Sequence, residues 1–248
     1  MTLKGKTAII TGGGRDIGRA CVMRLAADGA NVAINYHSSS AGADSAVTEI
    51  EAAGGSAFAM QGDMTRPDDV AALVAEAVKR HGSVDVLVHV TGGLVARKTL
   101  PDLTPEFWQQ VMDLNVTSLL HVVRAVLPHM NEGGSIVPIA SQAARDGGGP
   151  GAIAYAASKG AVATMTRGMA KELGPRIRVN SVCPGMIDTD FHNIFTKDEV
   201  RGNVAKATPL KREGRSEEVA DLVRFLASAE ASFMTGTNLD INGGLLFS

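Results

Sequence analysis

Tyr155 and Lys159 stand four residues apart in Tyr155-Ala-Ala-Ser-Lys159. On a helix that spacing puts the phenol and the ammonium on one face. There a positive charge lowers a tyrosine pKa that is about 10 when unperturbed and poises the phenol for proton exchange near neutral pH. Tyr36 is the only other tyrosine in the chain. Ser141 follows the apolar run Ser135-Ile-Val-Pro-Ile139, so its hydroxyl falls at the carboxyl end of an expected strand, the end at which open α/β sheets bind ligands. A second group of residues suits phosphate. Thr11-Gly12-Gly13-Gly14-Arg15-Asp16-Ile17-Gly18 lies between a strand-like and a helix-like segment. Glycines let the backbone turn sharply and approach a pyrophosphate, and the free amides of the helix start donate to it. A proton-exchanging pair beside a dinucleotide is the chemistry these types and spacings support.

Positioning such residues requires alternating strands and helices, and the chain supplies them. Apolar runs predict strands near Thr7 to Ile10, Asn31 to Asn35, Ser56 to Gln61, Val84 to Val90, Ser135 to Ile139, Ile177 to Val182 and Asn238 to Ile241. Amphipathic stretches predict helices over Ile17 to Asp28, Ala41 to Ala53, Pro67 to His81, Pro105 to Met130, Ala152 to Leu173 and Ser216 to Ala227. Asp28-Gly29 and Ala53-Gly54-Gly55 are helix stops. Ala8-Ile9-Ile10 and Val86-Leu87-Val88 are apolar on both faces, as strands are when helices cover both sides of a parallel sheet. Right-handed crossovers then give a doubly wound α/β fold with a seven-stranded parallel sheet in one domain over 1–248. Asp146 to Gly151 and Asp188 to Lys211 read as irregular segments that wall the substrate site, with a substrate loop at 186–212.

Composition narrows the function classes. The 248 residues are 45% apolar and 20% charged with a net charge of −2, enough for one sizeable core and without the basic footprint of a nucleic-acid binder. Cys21 and Cys183 lie far apart with no metal-ligand spacing, so buried thiols are expected and neither a disulfide framework nor a metal site. Met1-Thr-Leu-Lys-Gly-Lys6 leads straight into a strand without a signal sequence. No apolar run approaches the roughly 20 residues of a membrane helix, and a cytoplasmic protein is expected.

With these motifs in this order, the whole chain resembles the short-chain dehydrogenase/reductase family, whose glycine loop reads TGxxxGxG; Asp16 stands where that loop usually has its middle glycine. The resemblance implies a Rossmann fold and hydride transfer at a carbonyl or secondary alcohol. Tyr155 would be proton donor, Ser141 would orient the substrate oxygen, and Lys159 would depress the Tyr155 pKa and hold the nicotinamide ribose. Asn115, in Asp113-Leu-Asn-Val-Thr117, resembles the asparagine that kinks its helix and binds a relay water. The resemblance places Asp63, beside Met64, on the adenine ring, and Pro184-Gly185 with Ile187 and Thr189 on the nicotinamide. His89-Val90-Thr91-Gly92 stands where the family reads NNAG; a core role is expected for His89 and a cofactor contact for Thr91 and Gly92. The Ser141 to Tyr155 interval is one residue longer than usual, with the extra glycine of Gly147-Gly148-Gly149 absorbing it; Gln142 fits the shorter interval but has the wrong chemistry.

The second strand ends Asn35-Tyr36-His37-Ser38 with no acid to repel a 2′-phosphate. Arg15 sits where related enzymes reach that phosphate with a guanidinium. NADP(H) is therefore favoured, with a solvated Arg15 and NAD(H) held through Asn35 as the alternative. Among relatives the chain resembles 3-oxoacyl-[acyl-carrier-protein] reductases and sugar or polyol dehydrogenases, keto-uronate enzymes included. An acidic carrier needs a basic docking patch, which Leu127-Pro-His-Met-Asn-Glu132 lacks. Arg97, Lys98, Arg145, His192 and Lys197 flank the expected pocket, as partners for a carboxylate or phosphate on a small substrate or as solvated loop residues. A dinucleotide-binding sensor without turnover is the alternative of another class. The resemblance further implies a homotetramer built through the long helices and Thr235 to Leu246.

Overall fold

The computed structural model describes residues 2–247. Its sheet is parallel, with strands β1 (Thr7–Thr11), β2 (Asn31–Tyr36), β3 (Ala57–Gln61), β4 (Val84–His89), β5 (Met130–Pro138) and β6 (Ile177–Val179) in the order β3-β2-β1-β4-β5-β6. The order turns back between β1 and β4, so their carboxyl ends splay open a crevice there. Consecutive residues of each central strand serve opposite faces. Ile10, Ile34 and Val88 join one core, and Ile9, Ala33 and Leu87 the other; all six are fully buried.

Helices cover both faces. On the first lie α1 (Asp16–Ala27) and α2 (Ser40–Ala52), and on the second α3 (Pro67–His81). α3 starts with Pro67 and two aspartates, ends with Lys79, Arg80 and His81, and stops at Gly82 with φ 81°. Both ends thus complement the helix dipole, and glycine tolerates the left-handed exit.

The expected helix from Pro105 to Met130 is three pieces: α4 (Pro105–Met112), a π-turn over Asp113–Thr117, and α5 (Ser118–Val126). It tightens into a 3-10 turn at Leu127–His129, and Met130 already belongs to β5, paired with Val84. By length and composition the stretch Pro105–His129 is apolar enough to cross a membrane, which corrects the expectation that no segment comes near that limit. Here Leu119, Val122, Val123 and Val126 bury one side of it in the second core.

The seventh strand does not extend the sheet as expected. The run from Ile177 breaks at Asn180, and β7 (Ser181–Pro184) pairs with β8 (Asn238–Ile241) in a separate two-stranded ladder. Asn180 makes the exchange. Its N–H donates to Ile136 O at 3.1 Å, its Nδ2 to Met234 O at 2.8 Å, and its Oδ1 accepts from Thr237 N at 3.2 Å. One parallel bridge, Ile139 with Val182, still joins the ladders.

Of the two stretches expected to be irregular, 147–151 is irregular, whereas Asp188 to Lys211 contains helices. α6 (Ala143–Asp146) precedes the glycines and α7 (Ile153–Leu173) follows them; α8 (Asp190–Phe195) and α9 (Asp198–Ala207) fold within the substrate loop before α10 (Ser216–Ala227). No residue of α8 or α9 is buried, so Phe191, Ile194 and Phe195 of α8 and Val200 and Val204 of α9 do not join either core. A partly exposed cluster of charge anchors them: Arg201 Nη2 lies 2.6 Å from Asp188 and 2.6 Å from Glu213.

Candidate active site

A cleft of about 1330 Å³ opens at the carboxyl ends of the strands, between the glycine loop, the end of β2, the loop after β4 and the substrate loop. At one end the chain is shaped for close approach by a ligand. Gly12 has φ 65°, and a Cβ there would meet Thr91 N at 3.0 Å; a Cβ on Gly18 would come within 2.0 Å of Gly12 O, so α1 packs directly on the loop. No side chain caps the start of α1, which leaves its first amides to an anion. Gly12, Arg15, Asp16, Ile17 and Gly18 all line the cleft. This cradle fits the diphosphate of a dinucleotide.

Asn35 is buried and occupied. Its Oδ1 accepts from Gly12 N at 3.3 Å and its Nδ2 donates to Gly62 O at 2.9 Å, so it pins the glycine loop to the end of β3. Tyr36, His37 and Ser38 line the cleft beyond it. Asp63 and the buried Met64 form the neighbouring wall. Partial burial raises the Asp63 pKa, but hydrogen bonds from Thr65 N and Oγ1 at 2.9 and 2.8 Å outweigh it and hold the carboxyl below its ordinary value.

Asp16 adopts φ 49°, a left-handed conformation that explains why glycine is the usual residue there. Its side chain turns to the substrate loop, where Oδ1 accepts from Asp190 N at 3.2 Å. Arg15 bridges the two carboxylates, 3.9 Å from Asp16 and 3.6 Å from Asp190.

At the other end, β5 and α7 bring Ser141, Tyr155 and Lys159 together with Asn115. The π-turn carries Asn115 inward: its Nδ2 donates to Val111 O and Gly93 O, both at 2.9 Å, and its Oδ1 accepts from Gly93 N at 3.0 Å. A Cβ on Gly92 would lie 2.6 Å from Asn115 Oδ1 and 3.0 Å from Lys159 Nζ, so only a glycine lets both groups converge. Lys159 is buried and donates to Ile139 O at 2.8 Å, and burial depresses its pKa to about 8.

The expected depression of the Tyr155 pKa is corrected. Burial raises the phenol above its ordinary value of 10.0, and a hydrogen bond with Ser141 opposes the rise. Lys159 Nζ sits 5.8 Å from the ring centroid, and burial with the Ser141 hydrogen bond sets the balance at the phenol. Ser141 Oγ also accepts from Ala143 N at 3.1 Å. The alternative residue, Gln142, donates to Asp146 Oδ2 at 2.8 Å. Beyond them Pro184, Gly185 and the buried Ile187 and Thr189 complete the wall.

His89 is the core histidine its position suggested. Nδ1 lies 3.0 Å from Thr11 Oγ1 and Nε2 3.2 Å from Ser118 Oγ, and full burial lowers its pKa to about 3. The cations expected around the substrate are spent elsewhere. Arg97 donates to Phe195 O at 2.9 Å and Pro150 O at 2.8 Å, tying the loop after β4 to the end of α8 and to the loop before α7. Arg145 donates to Asp240 and to Asn238 O, and Lys98 and Lys197 lie outside the described cleft lining. The sequence reading missed Leu94 and Val95, which line the site. Val95 has φ 65°, costly for a β-branched residue, and the preceding Gly92-Gly93 pair was the available signal.

A family model described as Enoyl-(Acyl carrier protein) reductase matches residues 12–246. The chain is 36% identical over 243 residues to 3-oxoacyl-[acyl-carrier-protein] reductase of Staphylococcus epidermidis, covering 97% of this chain and 98% of the relative. It is 36% identical over 250 residues to glucose 1-dehydrogenase 2 of Bacillus subtilis, covering 98% and 95%. A short chain dehydrogenase from Burkholderia cenocepacia in complex with NADP superposes with a TM-score of 0.92 at 38% identity and 99% coverage of both chains.

Proposed function

The chain belongs to the short-chain dehydrogenase/reductase family, and from that premise we propose that it is an NADP(H)-dependent reductase of small carbonyl compounds. The observation that carries this reading is the convergence of Ser141, Tyr155, Lys159 and Asn115 on one end of a cleft whose other end is a glycine cradle. When bound, the nicotinamide supplies or accepts a hydride at the substrate carbon. Ser141 donates a hydrogen bond to the substrate oxygen and orients it. Tyr155 gives that oxygen a proton as the carbonyl becomes a secondary alcohol, and takes it back in the reverse direction. Lys159, buried beside Gly92, holds the ribose end of the cofactor. Asn115 keeps the Gly92-Gly93 backbone in place and supports the water chain that reprotonates the phenol.

Arg15 and the acid-free end of β2 support the preference for the 2′-phosphate. The same reading assigns Tyr36, His37 and Ser38 to the adenosine ribose, Asp63 and Met64 to the adenine, and Thr91, Ile187 and Thr189 to the ribose and nicotinamide. It retains a homotetramer, which light scattering would register as four chains of 25.7 kDa. The test is oxidation of NADPH and NADH by the purified protein with a panel of ketones, aldehydes and keto sugars. NADPH should be preferred, and Arg15→Ala should lower that preference by about tenfold or more. A clear preference for NADH that is indifferent to Arg15 would refute the cofactor assignment.

A further inference from the structure

The wall facing Tyr155 is aromatic. Phe191, delivered by α8, has its ring centroid 5.8 Å from that of Tyr155, and Phe195 and His192 back it at 5.2 and 5.0 Å. Leu94, the strained Val95, Met186 and Val204 also line the cleft. A substituent on the reacting carbon therefore meets an aromatic face and aliphatic side chains, a lining that rewards a flat apolar group.

Charge in the cleft points the same way. Among the described residues lining its substrate end, Arg97 is committed to two carbonyl oxygens and Lys159 donates to Ile139 O. His192 lies against Thr196 at 2.9 Å, and burial and the nearby Arg201 lower its pKa to about 4, so it is neutral in ordinary buffers. Glu106, Asp113 and Asp146 add carboxylates to the lining. A carboxylate or phosphate entering here would lose water, gain no free cation and face like charge.

We infer that this site selects uncharged carbonyl compounds bearing an apolar, preferably aromatic, substituent, with Phe191 as the specificity-determining residue. The inference rests on the hydride-transfer reading above. It sets aside free keto acids, phosphorylated sugars and substrates presented on an acidic carrier protein.

The experiment uses matched pairs with the full-length enzyme and NADPH: acetophenone against its para-carboxylate, and a 2-oxo ester against the free 2-oxo acid. The neutral member of each pair should have the higher kcat/KM by about tenfold or more. Phe191→Ala should raise KM for the neutral aryl ketone several-fold while changing kcat less and leaving the carboxylate nearly unaffected, and Phe191→Leu should recover part of the loss. Equal or better turnover of the anions overturns the substrate class while leaving the hydride-transfer reading intact. An equal loss for both members of each pair in Phe191→Ala makes the residue a packing element of the loop and overturns its selective role. No NADPH oxidation with any compound overturns the hydride-transfer reading and this inference together.

Discussion

Proton exchange at Tyr155 depends on groups whose ionisation the fold has moved, and the direction of each movement sets a pH dependence. Burial keeps the phenol protonated above its ordinary value, while the Ser141 hydrogen bond pulls it back. Ser141→Ala should therefore shift the alkaline limb of the reduction profile to higher pH and lower kcat by about 10²-fold; a limb that moves to lower pH would contradict this balance. His89 titrates at about 3 in the fold against 6.5 ordinarily. Below 6.5 the unfolded chain takes up a proton that the folded chain refuses, so stability falls with acid by up to about 1.4 kcal/mol per pH unit until about pH 3. Denaturant titrations of the wild type and His89→Asn should differ over that window. Residue types exposed the Tyr155–Lys159 pair and the buried role of His89. They did not show that desolvation at Tyr155 outweighs the Ser141 hydrogen bond, because that contest depends on packing around the ring.

Two short elements determine how the reacting groups are held. The π-turn at Asp113–Thr117 points Asn115 at the Gly93 backbone. Asn115→Ala strands these buried groups, so we expect a loss of about 1–3 kcal/mol in stability together with a fall in kcat. An unchanged melting temperature would remove Asn115 from this structural role. The second element is the contact of Asp16 with Asp190, which joins the glycine loop to the start of α8 across 174 positions. Asp16→Gly relieves a left-handed backbone worth about 1 kcal/mol but releases the loop. It should melt no lower than wild type yet be cut faster by protease within 188–207, whereas Asp16→Asn, which keeps an acceptor, should resist cleavage. Equal cleavage of all three proteins would show that the contact does not hold the loop. The kink at Asn115 was implied by the family resemblance, but not its π geometry, since a π-turn has the composition of any helix; α8 and α9 were not legible, being short, unburied and fastened by the ion pairs of Arg201.

Across the whole molecule, what was legible is what repeats. Doubly apolar strands such as Ala8-Ile9-Ile10 alternate with amphipathic helices, and that alternation sufficed for the parallel sheet and for placing Ser141 and the glycine loop at strand ends. The partition of the last strand was not legible, since Ile177, Val179 and Val182 spread apolar residues along the run as a single strand would, and only the long-range partners of Asn180 divide it. Nor was the commitment of Arg97 and Arg145 to backbone and carboxylate acceptors, because sequence proximity to a pocket does not say where a guanidinium points. Cofactor binding and proton donation must be separable, one at the glycine cradle and the other at Tyr155. Tyr155→Phe measures this directly, with NADPH affinity read by nicotinamide fluorescence and turnover by NADPH oxidation on a neutral ketone. The expected result is an affinity within about threefold of wild type and a kcat reduced by about 10³-fold; a variant that keeps about a tenth or more of its turnover would contradict the assignment of Tyr155 as proton donor.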